Sequence, residues 1–151
     1  MNPNFRDLLS ALIAEGAEFL IVGAYALAVH GFPRATGDID IWIRPTEENA
    51  RRVWQALLNF GAPLSSMTLE DFHTPDIVFR MGRAPSQVDI LMSVSGLTFD
   101  EAWPNRVVQE VEGVKVCVIS PADQIRNKRS TDRPKDKLDA DWLEGRMRET
   151  P

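Results

Sequence analysis

Hydrophobic and polar positions follow two different periods in the first third of the chain. Residues 3–15 carry apolar side chains at helical spacing and predict an amphipathic helix. The apolar run 18–22 predicts a short strand, and residues 24–30 predict a short apolar helix that ends at Gly31. Residues 38–44 place isoleucine at every second position early in the run, which is typical of a strand. Helices and strands therefore alternate from the start.

The middle of the chain continues this alternation. Thr46 is placed to cap a helix that runs to about Phe60. Residues 62–75 are polar and irregular. Residues 76–81 and 86–94 then predict two strands joined by a short turn.

The last third of the chain predicts a short helical segment, a hairpin and two further helices. Residues 98–103 fit one or two helical turns, and residues 106–120 fit a hairpin. Ser120 is placed to cap a helix that begins at Pro121, and a final helix begins near residues 132–134. Together the elements predict an α/β or α+β fold, with a mixed sheet flanked by helices.

Length and composition add limits to this fold. The 151 residues are 44% hydrophobic and 26% charged, which predicts one domain over residues 1–151. Neither a secretory signal pattern nor a long apolar run is present, so we expect a cytoplasmic protein with no membrane segment. The single cysteine, Cys117, excludes an intrachain disulfide and a cysteine-rich metal site. The formal net charge of −5 disfavours broad nucleic-acid binding but leaves a local basic patch open.

Two aspartates interrupt the strand predicted at 38–44. Side chains two residues apart on a strand point to the same face, so Asp38 and Asp40 face away from the isoleucines. Two positions along a strand span roughly 6.6 Å, and carboxylates at that spacing can lean together onto divalent cations. Mg²⁺ prefers such oxygen ligands, together with substrate phosphates. The pair fits either a metal–phosphate site or the polar face of a half-exposed strand.

Two further features bear on that choice. Gly23 ends the first strand and opens a helix, where free backbone N–H groups favour phosphate. Asp89 interrupts the apolar strand predicted at 86–94, where a lone carboxylate is paired, exposed to water or functional. If the strands of Asp89 and Asp40 are neighbours, three carboxylates converge.

Taken together, these residues resemble the signature of a known superfamily. The run IVGAYALAVHGFPRATGDIDIWI resembles that of the DNA polymerase β-like nucleotidyltransferases. Their pattern is an apolar strand, Gly followed by Gly or Ser, a spacer, then Asp-apolar-Asp or Asp-apolar-Glu, with a third carboxylate on a later strand. More narrowly, the chain is similar to small bacterial nucleotidyltransferase-like proteins that include toxin components of toxin–antitoxin and abortive-infection systems. Those proteins often share its His-Gly and Pro-Arg-Xaa-Thr segments and its C-terminal Arg-Pro-Lys-Asp.

The resemblance implies a fold, an activity and a set of catalytic residues. It implies transfer of a nucleoside monophosphate from an NTP to an acceptor hydroxyl, with pyrophosphate as the leaving group. Asp38 and Asp40 would bind Mg²⁺ or Mn²⁺ and the NTP triphosphate. Asp89 would complete the metal site and help to deprotonate the acceptor hydroxyl.

The resemblance also implies five nucleotide-binding residues: Gly23, Ala24, Arg34, Thr36 and Lys128. Arg34 also fits a solvated loop, and Thr36 also fits a turn. Lys128 also fits a solvated helix C-terminus, where cations are favoured. Ala24 departs from the usual Gly or Ser, so it keeps the backbone N–H but loses a hydroxyl or the conformational freedom of glycine.

Several interpretations stay open at this point. The acceptor is RNA, a protein or a small molecule, and the basic segment RNKRSTDRPKDK could dock an RNA backbone despite its acids. The alternative to an enzyme is a noncatalytic binding module that acts with a protein partner, such as an antitoxin. A nucleic-acid-binding domain without chemistry ranks last. Trp42 fits base stacking or packing, and Asp136 and Asp139 fit first-turn helix acids.

Overall fold

The computed structural model describes residues 3–32, 37–83 and 85–149 of the chain. The six strands of the described residues are β1 (Phe19–Val22), β2 (Ile39–Ile43), β3 (Val78–Met81), β4 (Val88–Leu91), β5 (Val107–Val111) and β6 (Val114–Val118). The α-helices are α1 (Pro3–Ala14), α2 (Gly23–Val29), α3 (Glu47–Phe60), α4 (Phe99–Ala102), α5 (Pro121–Arg129) and α6 (Pro134–Glu149). Short 3-10 helices cover Leu69–His73 and Trp103–Asn105.

All six strands form one mixed sheet in the order β3-β4-β2-β1-β6-β5. The pairs β1–β2, β3–β4 and β5–β6 are antiparallel, whereas β1–β6 and β2–β4 are parallel. The predicted mixed α/β architecture is therefore confirmed. The parallel pairing of β2 with β4 joins strands that are far apart in sequence, and it sets the geometry of the candidate site.

The core contains the isoleucine face of β2. Ile39, Ile41 and Ile43 are fully buried and belong to the same core as the apolar face of α1. Asn49 on α3 locks the ends of β1 and β2 together, because its amide accepts a hydrogen bond from the Glu18 N–H and donates to the Glu18 and Arg44 carbonyls. Burial of the isoleucines on one face of β2 leaves Asp40 on the other.

Local sequence signals set most element boundaries. Thr46 caps α3 by accepting a hydrogen bond from the Asn49 N–H, and Gly61 ends the helix with φ 91°. Ser120 caps α5, with Pro121 as the first helical residue. The segment expected to be irregular, 62–75, contains a 3-10 helix capped by Thr68, which the sequence analysis missed.

Predicted strand lengths were less accurate than predicted helix ends. The strands expected at 76–81 and 86–94 are shorter, at Val78–Met81 and Val88–Leu91. The predicted hairpin is present as β5 and β6, and both residues of its turn, Glu112 and Gly113, have positive φ. Within the part of the chain that the structure describes, no helix is long and apolar enough to cross a membrane.

Candidate functional site

The register of the sheet places two of the predicted carboxylates side by side. Asp40 on β2 lies directly opposite Asp89 on the parallel neighbour β4. Asp38 precedes β2 by one residue, and its Oδ1 accepts a hydrogen bond from the Gln87 N–H at 2.9 Å. The expectation that the strands of Asp40 and Asp89 are neighbours is therefore confirmed. The roles of the three aspartates in binding and catalysis stay predictions.

Asp40 has an unusual electrostatic environment for an aspartate. Burial raises its pKa to about 6, and the nearby carboxylates of Asp89 and Asp38 add to this effect. Lys128 and Arg80 oppose the shift only in part. A nearby cation would offset the repulsion from the two other carboxylates and stabilise the ionised form of Asp40, so this environment favours binding of a cation.

The raised pKa of Asp40 predicts a pH-dependent stability difference. Between about pH 4 and pH 6 the folded state binds more protons at Asp40 than the unfolded state does, so this residue lowers the stability as pH rises. We expect Asp40→Asn to be more stable than wild type by ~3 kcal/mol at pH 7, and the difference to become small near pH 4. Urea denaturation at both pH values, with a chelator present, measures this. A stability difference between the two proteins that stays constant with pH would contradict a raised pKa of Asp40.

Gly23 makes room for the carboxylate of Asp40. Its φ of +68° lies in the left-handed region that favours glycine, and a Cβ placed there would lie 2.2 Å from Asp40 Oδ2. The Gly23 carbonyl accepts a hydrogen bond from Gln124 Nε2 at 2.8 Å, which ties the β1–α2 junction to α5. The sequence thus needs glycine here because backbone and carboxylate approach closely.

Asp89 is held by an arginine that the sequence analysis did not single out. Arg80 lies opposite Asp89 on β3, and its Nε and Nη2 donate hydrogen bonds to Oδ1 and Oδ2 at 2.8 Å and 3.1 Å. Both oxygens of Asp89 are therefore engaged by one guanidinium. Only the β3–β4 register brings the two side chains together, so no local pattern predicts this pair.

An open cleft of about 390 Å³ lies beside these strands. Four of the predicted site residues line it, namely Gly23, Ala24, Asp40 and Lys128. Asp38 and Asp89 do not line the cleft, but both interact electrostatically with Asp40, which does. Two further predicted residues, Arg34 and Thr36, lie outside the described residues. The structure therefore joins the β1–α2 junction, one strand carboxylate and the C-terminal helices around one space.

Lys128 is buried in an ionic cluster that joins α5 to α6. Its Nζ donates to Asp136 Oδ1 and Asp139 Oδ2, each at 3.2 Å, and all three residues are at most 9% exposed. The interpretation of Lys128 as a solvated helix end is wrong, because α6 folds back over it. Asp136 lies in the first turn of α6, as predicted for a first-turn acid, and both Asp136 and Asp139 are buried on one face of that helix.

Asp136 is the most heavily bonded carboxylate of this cluster. Its Oδ2 accepts hydrogen bonds from the Thr131 hydroxyl at 2.6 Å and from Arg133 Nε at 2.7 Å, in addition to the contact with Lys128. Burial alone would raise the pKa of Asp136, but these hydrogen bonds and the charge of Lys128 lower it overall. The carboxyl is therefore ionised at neutral pH.

The carboxylates fit the metal that the resemblance implies. Asp38 and Asp40 offer oxygen donors, and their mutual proximity with Asp89 raises the pKa of Asp40, which a divalent cation would relieve. Among the described residues, no three carboxylate, imidazole or thiolate groups are gathered closely enough to hold a metal by themselves. Mg²⁺ is commonly bound by one or two carboxylates together with substrate phosphates, so such a group of three is not required.

Trp42 belongs to the core. The side chain is 1% exposed and packs edge-to-face on Phe99 at a centroid distance of 5.2 Å. Of its two interpretations, packing is therefore correct, and base stacking is not supported.

Cys117 on β6 is half-buried, as its alternation with valines predicts.

Comparison with known proteins rests on structure, since no family model and no curated protein matches the sequence. A "putative nucleotidyltransferase" from Thermotoga maritima is similar with a TM-score of 0.58 and 16% identity, over 96% of this chain and 91% of that one. An antigenic nucleotidyltransferase-like protein from Paracoccidioides brasiliensis is similar with a TM-score of 0.52 and 18% identity, over 97% of this chain and 75% of that one. The six-stranded mixed sheet and its flanking helices are therefore a nucleotidyltransferase fold.

Proposed function

We propose that the chain is a metal-dependent nucleotidyltransferase that transfers a nucleoside monophosphate from an NTP to an acceptor hydroxyl. The observation that carries this proposal is the position of Asp40, which is crowded by Asp38 and Asp89 and lines the cleft beside Gly23. The two structural neighbours, a putative nucleotidyltransferase and a nucleotidyltransferase-like protein, support the same activity.

The cleft residues have distinct roles in the proposed reaction. Asp38 and Asp40 hold the divalent cation, Mg²⁺ or Mn²⁺, which when bound neutralises phosphate charge and stabilises the leaving pyrophosphate. The backbone at Gly23 and Ala24 lines the cleft where the phosphates would lie. The acceptor oxygen forms a bond to the α-phosphorus, and the bond from that phosphorus to the bridging oxygen of pyrophosphate breaks.

Asp89 helps to remove the proton of the acceptor hydroxyl in this proposal. Arg80 donates one hydrogen bond to each oxygen of Asp89, and each oxygen keeps a further lone pair that can accept a proton. Arg80 is itself exposed, which allows its side chain to move away.

The proposal extends to the acceptor and the biological role of the chain. The acceptor hydroxyl belongs to RNA, a protein or a small molecule, and the chain acts in the cytoplasm, where NTP and Mg²⁺ are available. A toxin role with an antitoxin as protein partner follows from the resemblance to toxin-type nucleotidyltransferase-like proteins. Nucleotide transfer to an essential cellular acceptor would account for such a role.

A second candidate function is a noncatalytic binding module that acts with a protein partner. Two observations favour it: Ala24 stands where the superfamily usually has Gly or Ser, and both oxygens of Asp89 are already engaged. This candidate retains the fold and the cleft without transfer chemistry.

Transfer of label tests the two candidates against each other. The protein is incubated with each α-³²P-labelled NTP, Mg²⁺ or Mn²⁺ and a cell extract, and products are separated into RNA, protein and small-molecule fractions. We expect label in one fraction with wild type and none with Asp38→Asn/Asp40→Asn, because the double variant loses both metal-binding carboxylates. Equal labelling by wild type and the double variant would contradict the proposed enzyme. No labelling by wild type, together with an intact fold, favours the binding module.

A further inference from the structure

The basic side chains of the cleft differ in how much of their charge is available. Among the described residues that line the cleft, three are cationic: Lys128, Arg133 and Lys135. A triphosphate carries several negative charges, and its binding depends on cations that are not already neutralised. The existing ion pairs of each side chain therefore decide how much of its charge is available to a phosphate.

Lys128 has little charge to offer to a phosphate. Its ammonium is 3.2 Å from one oxygen of Asp136 and 3.2 Å from one oxygen of Asp139, and its side chain is only 11% exposed. Turning the ammonium towards a ligand would take the cation of the pair away from buried Asp139 and leave Asp136 with Arg133 alone, which is strongly unfavourable. Lys128 therefore stays with its aspartates.

Arg133 completes the neutralisation of this cluster. Its Nε lies 2.7 Å from the second oxygen of Asp136, which offsets part of its charge, although its side chain is 76% exposed. The cluster of Lys128, Arg133, Asp136 and Asp139 holds two cations and two carboxylates and has no net charge. It fixes the start of α6 against α5, but it adds little attraction for an anion in the cleft.

Lys135 differs from both. It is exposed, lines the same cleft, and has no side-chain hydrogen bond or ion pair with any residue that the structure describes. It lies in the first turn of α6, one residue before Asp136, so the ionic cluster holds its backbone in place while the ammonium stays available.

We propose that Lys135, rather than Lys128, supplies the cationic contact to the nucleotide phosphates in this cleft. The proposal rests on the proposed function, because it assigns a residue to the triphosphate of that substrate. Lys128 then has a structural role: it holds α5 and α6 together so that Lys135 faces the cleft.

Binding of inorganic tripolyphosphate and of the four NTPs, each with Mg²⁺, tests the assignment by calorimetry. We expect Lys135→Ala to weaken binding of tripolyphosphate about tenfold, since one charge-assisted contact is lost. Lys135→Arg keeps a positive charge and is expected to restore most of the affinity. Lys137→Ala is the matched control, because Lys137 is also exposed on α6 but is not among the residues that line the cleft. The melting temperature of Lys135→Ala should equal that of wild type, since no partner is lost.

The outcomes separate the assignment from the proposed function. If wild type binds the ligands and Lys135→Ala binds them equally well, the assignment of Lys135 is wrong while the nucleotide site stands. An equal loss in Lys135→Ala and Lys137→Ala would also overturn it, because general surface charge would then explain binding. If wild type binds neither tripolyphosphate nor any NTP, both the assignment and the proposed function fail.

Discussion

Lys128→Ala is expected to lower the free energy of unfolding by about 3–5 kcal/mol, the largest effect of any single substitution considered for this chain. The change removes the cation that two buried carboxylates share, Asp136 and Asp139. It leaves the charge of Asp139 without its ion pair in the interior, whereas Asp136 keeps only its contact with Arg133. It also releases the contact that holds α5 against α6. Urea denaturation at pH 7 measures the loss directly.

Two comparisons identify the buried ion pairs as the cause. Arg129, the next residue on α5, forms exposed ion pairs with Asp141 and Glu144, so Arg129→Ala is expected to cost no more than about 1 kcal/mol. Replacing Asp136 and Asp139 with asparagine in the Lys128→Ala background should recover part of the lost stability, because the unpaired charges disappear. A loss below about 1 kcal/mol in Lys128→Ala would show that the ammonium is not buried as described.

Gly23→Ala is expected to cost about 2–3 kcal/mol and to abolish binding of NTP with metal. The new Cβ would lie 2.2 Å from Asp40 Oδ2, so the carboxylate has to move. Alanine at a φ of +68° adds roughly 1–2 kcal/mol of backbone strain. Because Asp40 is the strand carboxylate that lines the cleft, its displacement would remove one of the proposed metal-binding groups from the site. Denaturation and nucleotide titration measure the two effects.

Gly61→Ala is the matched control for backbone strain. Gly61 also has positive φ, at +91°, but a Cβ there would have no atom within 4 Å. We expect Gly61→Ala to cost roughly 1–2 kcal/mol and to leave nucleotide binding unchanged. If Gly23→Ala binds NTP as well as Gly61→Ala does, the close approach to Asp40 does not matter for the site.

The parts of the fold that local sequence could predict are those set by local forces. Thr46, Gly61 and Ser120 lie at helix ends because their side chains or backbone conformations satisfy free helix groups. The isoleucine face of β2 is buried as its period of two predicts. The glycine at position 23 was noticed as a strand–helix junction, although its contact with Asp40 needs the folded structure.

The parts that could not be predicted depend on pairings between distant segments. The sequence shows that Asp89 is unusual within its strand. Its position opposite Asp40, however, follows only from the parallel register of β2 and β4. Arg80 has no local feature that separates it from a solvated arginine, since its contact with Asp89 requires the β3–β4 register. For Lys128, the alternative interpretation as a solvated helix end is wrong, because the packing of α6 against α5 buries the side chain and no local pattern predicts that packing.

The central claim is that the cleft beside Asp40 binds an NTP together with a divalent cation. Its most direct test is the thermal stability of wild type and Asp38→Asn/Asp40→Asn with each of the four NTPs, with and without Mg²⁺. At a ligand concentration of 100 Kd, we predict that wild type gains ~2.7 kcal/mol with at least one NTP, only when Mg²⁺ is present, and that the double variant gains nothing. No stabilisation of wild type by any NTP, or an equal shift in the double variant, would contradict the claim.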